Sequence, residues 1–412
     1  MGSLNSFDWK TGACEISAAP KQNLTRVTVA SDWGALWDYE TLILTDPLAV
    51  YGDLLPLFSS SALNLVNVEC ALGENGAPIR KGGPNLRAPR QAVQALTPFQ
   101  VACLANNHIM DFGPESLCET IGILHNAGLQ TVGAGMDGAA AREPFHVQIK
   151  NTSLAVVNCA EGESCASLQN GPGANPFDID ATEKQIVALK RAGNSVLVVF
   201  HGGREYAPCP QPYTVEAMRR FADAGACAVI VHHPHVPQGI EIHNNAPIAY
   251  SQGNFVFRWV DTRNNDAYFG NHGYLAHLDF DGNELIRFSI TPYEMKREGV
   301  YQLSGEARTH LMQKLQRVSE LLSTPDTVEI MWNAFVDEFG ETAMKSQLQS
   351  LLNCMDEDTP LGAARLHNIF YCAAHREQYL NGLRRLSQDT LGDSSDWARE
   401  LVREWKATRN AE

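Results

Sequence analysis

The chain has 412 residues, of which 44% are hydrophobic and 19% charged, and a formal net charge of -15. That length exceeds one ordinary core and predicts two units of a soluble globular protein. The acidic balance argues against nonspecific binding to nucleic acid or an anionic membrane, and no apolar run is long enough to span a bilayer.

The N-terminus lacks the basic-then-apolar pattern of a signal peptide, and Met1-Gly2-Ser3-Leu4-Asn5-Ser6 fits the short N-myristoylation pattern by chance. The ten cysteines are scattered without a Cys-x-x-Cys pair, which excludes a zinc knuckle. They read as small core residues in a reducing compartment, so a cytoplasmic location is expected.

Residues 1–26 show no periodicity and read as an arm. Val27–Ala30 is the first predicted strand and delivers Asp32. A helix over Leu54–Ser60 follows, then a strand over Leu63–Glu69 that ends in Asn67 and Glu69. A Gly/Pro-rich loop over 73–89 carries Arg80, Lys81 and Arg87. A short helix at Pro89–Leu96 leads to the apolar run Phe99–Ala105, which delivers Asn106, Asn107, His108 and Asp111. Glu115–Ala127 is amphipathic and stops at Gly128. A short strand at Gln130–Val132 precedes a hairpin of Phe145–Ile149 with Leu154–Asn158. Residues 159–181 form a long loop, a candidate cleft rim. Thr182–Arg191 is a helix with Thr182 as its cap.

Val196–Phe200 then delivers His201, Arg204 and Glu205. A helix at Thr214–Ala224 ends at Gly225. Ala228–Val231 delivers His233 and His235, and Ile248–Ser251 delivers Asn254. Tyr274–Phe280 and Leu285–Ile290 pair around Asp281-Gly282-Asn283. From about Gly305 the pattern turns helical, with pieces at 306–323, 326–353, 361–386 and 395–408. The expected division is an arm at 1–26, a catalytic domain at 27–300 and a helical C-terminal unit at 301–412.

Strand after strand thus ends in groups that hold metals or move protons. Core strands gain nothing from such groups, and burying them unpaired is costly, which points to one functional cluster. Oxygen donors mixed with imidazoles suit manganese, zinc or iron better than calcium.

Five ordered motifs carry a resemblance: Asn67-Val68-Glu69; Leu104 to His108 with Asp111 and Gly113; His201 with Gly203, Glu205 and Tyr206; His233 to Gln238; and Tyr250 with Gly253-Asn254-Phe255. Over roughly residues 26–260 the chain resembles the capsule-synthesis CapA proteins, of the poly-gamma-glutamate biosynthesis type, within the metallophosphoesterase superfamily. The resemblance implies an α/β fold, a four-layer αββα sandwich, with the helical C-terminal unit added. It implies Asp32, Glu69, Asn107, His201, His233 and His235 as metal ligands, and His108 as the histidine that acts on the transition state. The sequence departs from the pattern in having Ser31-Asp32 for Gly-Asp and His201-Gly202-Gly203 for His-Trp-Gly. It also has no Asp-x-His at the first strand, which puts a full two-metal site in doubt.

Two enzymatic readings stay open. The first is a metal-assisted hydrolase or transferase acting on an amide, a peptide or a phosphate ester. His108 would be its acid and Asp111 the group holding the ring. Arg80, Lys81, Arg87, Arg204 and Asn254 would bind a peptide or small anionic substrate. The second is a metal-independent peptide epimerase tailoring a ribosomal peptide, with Asp32 as base and His233 or His108 opposite it exchanging a Cα proton; Glu205 is a further catalytic candidate. A non-catalytic binding protein is the third alternative, against which the near-complete set of groups counts.

Overall fold

The computed structural model describes residues 6–17, 24–162, 164–167, 170–257 and 269–406. The Met1–Ser6 pattern lies mostly outside the described residues. The architecture is two twisted sheets face to face, each covered outside by helices. One sheet runs Ala13–Glu15, Glu284–Lys296, His272–Asp281, Thr25–Trp33, Leu63–Val68, Val101–Cys103, Gln130–Val132, with Asn254–Val256 and Gly299–Gln302 attached. The other runs Ile240–His243, Ala246–Ala249, Ala228–His232, Ser195–His201, Thr152–Ala160, Phe145–Ile149. Alternation along the strands explains the layering. Val27, Val29, Leu63 and Leu65 share an inner core with Val156, Leu197, Val199 and Ile230 of the facing sheet. Val66 and Val68 point the other way, against Tyr51, Phe58 and Leu117. Val198, Phe200 and Val229 meet Ile186, Met218 and Phe221 of the helices on the opposite side.

Several local details differ from the sequence reading. Ala13–Glu15, inside the expected arm, pairs antiparallel with Arg287–Ser289 as an edge strand. The helix Ile179–Arg191 is capped by Asp178, which accepts from the Ala181 N–H, and Thr182 is buried within its first turn. The strand before Gln252 is Ala246–Ala249 rather than Ile248–Ser251.

The C-terminal helices are Gly305–Glu320, Pro325–Glu357, Thr359–Tyr371, Ala373–Ser387 and Asp396–Lys406. They do not stand apart from the sandwich. Leu311, Leu315, Trp332, Phe335, Leu401 and Trp405 are continuous with its inner core. The Pro325–Glu357 helix breaks at Gly340, whose φ of 74° no helix accommodates. Beyond that break the helices pack on a small core of Met344, Ile369 and Tyr379 and reach across the C-terminal ends of the parallel strands. No single helix among the described residues is long and apolar enough to cross a membrane.

Candidate metal centre and its cleft

Parallel strands on both sheets deliver their polar ends to one place. Thr25–Trp33 runs parallel to Leu63–Val68, but a bulge puts Ala30 opposite Val66 and Asp32 opposite Asn67. The extra residue, Ser31, re-aims Asp32 toward the ends of the other strands, as bulges beside functional sites do. From the facing sheet come His201 and the turn His233-Pro234-His235. His233 and His235 both have positive φ, 99° and 58°. That backbone is strained for a residue with a Cβ and persists where its surroundings over-determine it.

Asp32, Glu69, Asn107, His201, His233 and His235 come together, and all are buried. His201 Nε2 lies 3.4 Å from Glu69 Oε1, 3.0 Å from Asn107 Oδ1 and 3.2 Å from His233 Nδ1. His235 Nδ1 and Nε2 are 3.8 Å and 3.9 Å from Asp32 Oδ2 and Glu69 Oε1. Donor atoms of Asp32, Glu69 and His201, and again of Glu69, His233 and His235, all lie within 4.8 Å of one another. Burial raises the Asp32 and Glu69 carboxyls above the usual range, and for Asp32 the neighbouring Glu69 adds to it. Burial also pushes the His201 imidazole down to about 3 and His233 well below its ordinary value. For His235 burial pulls downward, but the carboxylates of Glu69, Asp32 and Glu205 outweigh it and raise the ring. Two carboxylates therefore sit in a dry site with two imidazoles, His201 and His233, that resist charging, and both Glu69 oxygens lack a hydrogen-bond partner. Orphaned buried carboxylate oxygens facing neutral imidazole nitrogens suit a divalent cation.

Surrounding groups hold these donors in place. Asn67 donates to Asp32 Oδ1 at 2.7 Å, and Asn254 Oδ1 faces His235 Nδ1 at 2.7 Å. Asn106 donates to the Val68 carbonyl at 2.8 Å and accepts from the His108 N–H at 3.1 Å. Phe257 stacks on the His235 ring with centroids 5.1 Å apart. Such partners fix ring orientation around a metal. Asn67 and Asn106 lay inside recognised motifs, so their signal was present; the Phe257 contact had none.

Beside the cluster opens a cleft of about 320 Å³, to which Asn107 and His108 also belong. His108 Nδ1 lies 2.7 Å from Asp111 Oδ2, and Asp111 is fully buried. Asp111 also receives Lys81 Nζ at 2.6 Å and the Leu86 N–H at 2.6 Å. The Asp111–His108 pair is thus where the sequence places it. Glu205 lines the cleft as well, 3.5 Å from Arg204 Nη1.

The residues expected to bind substrate are placed as follows. Lys81 lines the cleft, but its side chain is 2% exposed and its ammonium is held by Asp111 and the Asn107 carbonyl. Arg87 lies 3.6 Å from the Phe112 ring centroid and donates to the Glu74 carbonyl at 2.9 Å, pinning its own loop. Arg204 is buried and donates to Gln378 Oε1 at 2.6 Å. Asn254 orients His235, and Arg80 is exposed and does not line the cleft. The far wall comes instead from the helical unit, through Gln347, Arg365, Asn368, His375 and Tyr379. Helical periodicity gave no hint of that wall.

Residues 12–258 match the family described as bacterial capsule synthesis protein PGA_cap. The PGA biosynthesis protein CapA of Bacillus subtilis is 32% identical over 216 residues, 51% of this chain and 55% of that protein. A probable polyglutamine synthesis accessory protein of Mycobacterium tuberculosis is 28% identical over 288 residues, 65% of this chain and 76% of the other. The chain therefore spans about half the length of the Bacillus relative. A crystal structure described as a novel phosphatase, from Mycoplasma pneumoniae, aligns over 68% of this chain and 97% of its own, at 12% identity and a TM-score of 0.42. The family match contains every residue of the buried cluster and stops short of the helices that wall the cleft. With its αββα sandwich and with the motif residues gathered at one end of it, the chain belongs to the bacterial capsule synthesis PGA_cap family.

Proposed function

We propose that the protein is a metal-assisted hydrolase or transferase that acts on an amide, a peptide or a phosphate ester. The observation that carries this reading is Glu69, fully buried with neither carboxylate oxygen hydrogen-bonded among Asp32, His201, His233 and His235. Those residues, with Asn107, would hold a manganese, zinc or iron ion. A bound ion of that kind polarises a substrate oxygen and makes a water more acidic. Asp111 occupies the Nδ1 side of His108, which leaves Nε2 to pass a proton to a leaving group in the cleft. Asn107 spans the cluster and the cleft, so a substrate held in the cleft reaches both. Elemental analysis of protein purified without added metal or chelator tests the reading. Close to one equivalent of manganese, zinc or iron, lost in Glu69→Ala, is expected; metal-free protein that still turns over a substrate would refute it.

A second reading is supported by a different observation. Apart from Glu69, the donor atoms pair with one another or with neighbouring amides: Asn107 with His201, His201 with His233, Asn67 with Asp32, and Asn254 with His235. Such a network can relay protons without a cation, as a peptide epimerase requires at a Cα. Incubation of candidate peptides in heavy water, with and without chelator, separates the two. Chelator-insensitive deuterium at a Cα with no bond broken supports the epimerase, and chelator-sensitive cleavage without exchange supports the hydrolase.

A further inference from the structure

Four of the eight described arginines of the helical unit, Arg317, Arg385, Arg399 and Arg403, have carboxylate partners. Arg385 meets Asp337 at 2.8 Å, Arg403 meets Glu338 at 2.8 Å and Arg317 meets Glu404 at 3.1 Å. Arg365 lines the cleft and has no carboxylate within ion-pair distance among the described residues; its guanidinium contacts Cys354 Sγ at 3.7 Å. One turn further along the same helix, and so on the same face, Asn368 also lines the cleft. Its Oδ1 is buried and has no hydrogen-bond partner. The opposite wall is the Gly82-Gly83-Pro84 loop. A Cβ on Gly82 would sit 3.6 Å from Asn368 Nδ2, and one on Gly83 would meet nothing within 4 Å. The loop therefore packs against Asn368 at Gly82 and leaves open space at Gly83.

An unpaired guanidinium calls for a planar anion, and a buried amide oxygen calls for an N–H donor. One ligand supplies both within a few atoms: a peptide that carries a carboxylate. We infer that Arg365 and Asn368 form a carboxylate-reading subsite for a peptide, with Arg365 taking the carboxylate and Asn368 Oδ1 accepting the adjacent N–H. The subsite rests on the reading of this cleft as the active site. It is set apart from that reading because binding, not turnover, reveals it. It also gives the helical unit a task, since that unit lies outside the family match and still builds half of the cleft.

The test measures binding by calorimetry in the His108→Ala background, where no turnover interferes. Three probes are used: tetraglutamate, tetraglutamine with a free C-terminus and tetraglutamine amide. Tetraglutamate is expected to bind, and the amide, which has no carboxylate, to bind at least tenfold more weakly. Tetraglutamine with a free end tells a terminal carboxylate, if it binds like tetraglutamate, from a side-chain one, if it binds like the amide. Arg365→Gln should weaken tetraglutamate about 10- to 100-fold, the range for a hydrogen bond to a charged group. Asn368→Asp should weaken it at least as much by repulsion. Circular dichroism and bound metal should be unchanged in both variants. Equal affinity of Arg365→Gln and its parent, equal binding of the amide, or no binding of any probe overturns the subsite. Failure of the hydrolase reading would show separately, as bound peptide that is never cleaved by protein with His108 intact.

Discussion

Lys81 and Asp111 make the most exacting prediction because both charges are out of water. Their side chains are 2% and 0% exposed and meet at 2.6 Å. Asp111→Asn keeps an oxygen for the Leu86 N–H but sets an amide group against the Lys81 ammonium or the His108 ring. The ammonium is then left with the Asn107 carbonyl, 2.9 Å away. Breaking a buried pair from one side costs about 3–5 kcal/mol. Lys81→Met strands Asp111 in the same way, at a similar cost. The double variant, Lys81→Met with Asp111→Asn, removes both charges and should lose less than about 2 kcal/mol, since apolar or neutral replacements of buried pairs are often nearly neutral. Urea unfolding followed by far-ultraviolet circular dichroism reads all four proteins. Turnover should not return with stability in the double variant, because His108 has lost the carboxylate at Nδ1; a fall of roughly 10²–10⁴-fold is expected. Stability losses that simply add in the double variant would refute the coupling.

Glu69→Gln should hold little metal after purification, read by elemental analysis. In chelator it should unfold at a higher temperature than its parent, by about 0.5–2 kcal/mol, because it removes an unpaired buried carboxylate. Gly133→Ala should destabilise by at least about 2 kcal/mol in urea unfolding: its φ is +90° and a Cβ would lie 2.1 Å from Asn158 Oδ1, the acceptor for the Ala105 N–H. His277 is held neutral between Thr28 and Thr291, and burial pushes it down to about 4 from the ordinary histidine value of 6.5. The unfolded chain takes up a proton below pH 6.5 and the folded one not until about 4, so this group's contribution, about 3 kcal/mol, is lost as pH falls through that window. His277→Gln should flatten the fall of stability across that window in denaturant titrations; an unchanged slope would refute it.

Much of the sandwich was legible because parallel strands buried on both faces write themselves as short apolar runs, and their polar ends then stand out. Asp32, Asn107, His201 and His233 could be picked on that contrast alone. The bulge that aims Asp32 could not, since it depends on how Ser31 sits against the neighbouring strand. Basic residues misled for the opposite reason. In the sequence Lys81 and Arg204 are cations in Gly-rich loops; in the fold each is buried by a contact more than twenty residues away, to Asp111 and to Gln378. Local pattern carries no information about such partners.

The helical unit shows where that limit falls hardest. Its helices were visible from periodicity, yet periodicity specifies an apolar face without naming what the polar face meets. Beyond the shared apolar core, the docking adds polar contacts from the sandwich: Arg204 to Gln378, Gln211 to the Ala374 carbonyl at 3.1 Å and Cys372 to Glu161 at 3.6 Å. Arg204 lies three residues beyond His201, and the Glu161 N–H donates to the His201 carbonyl at 2.9 Å. The same short segments that present a cluster histidine therefore also fix the wall opposite. A shift of the helices by an ångström would be felt at His201 through Arg204 and Glu161. The cluster and the cleft wall opposite it come from different parts of the chain, but they are held in register by one set of buried contacts.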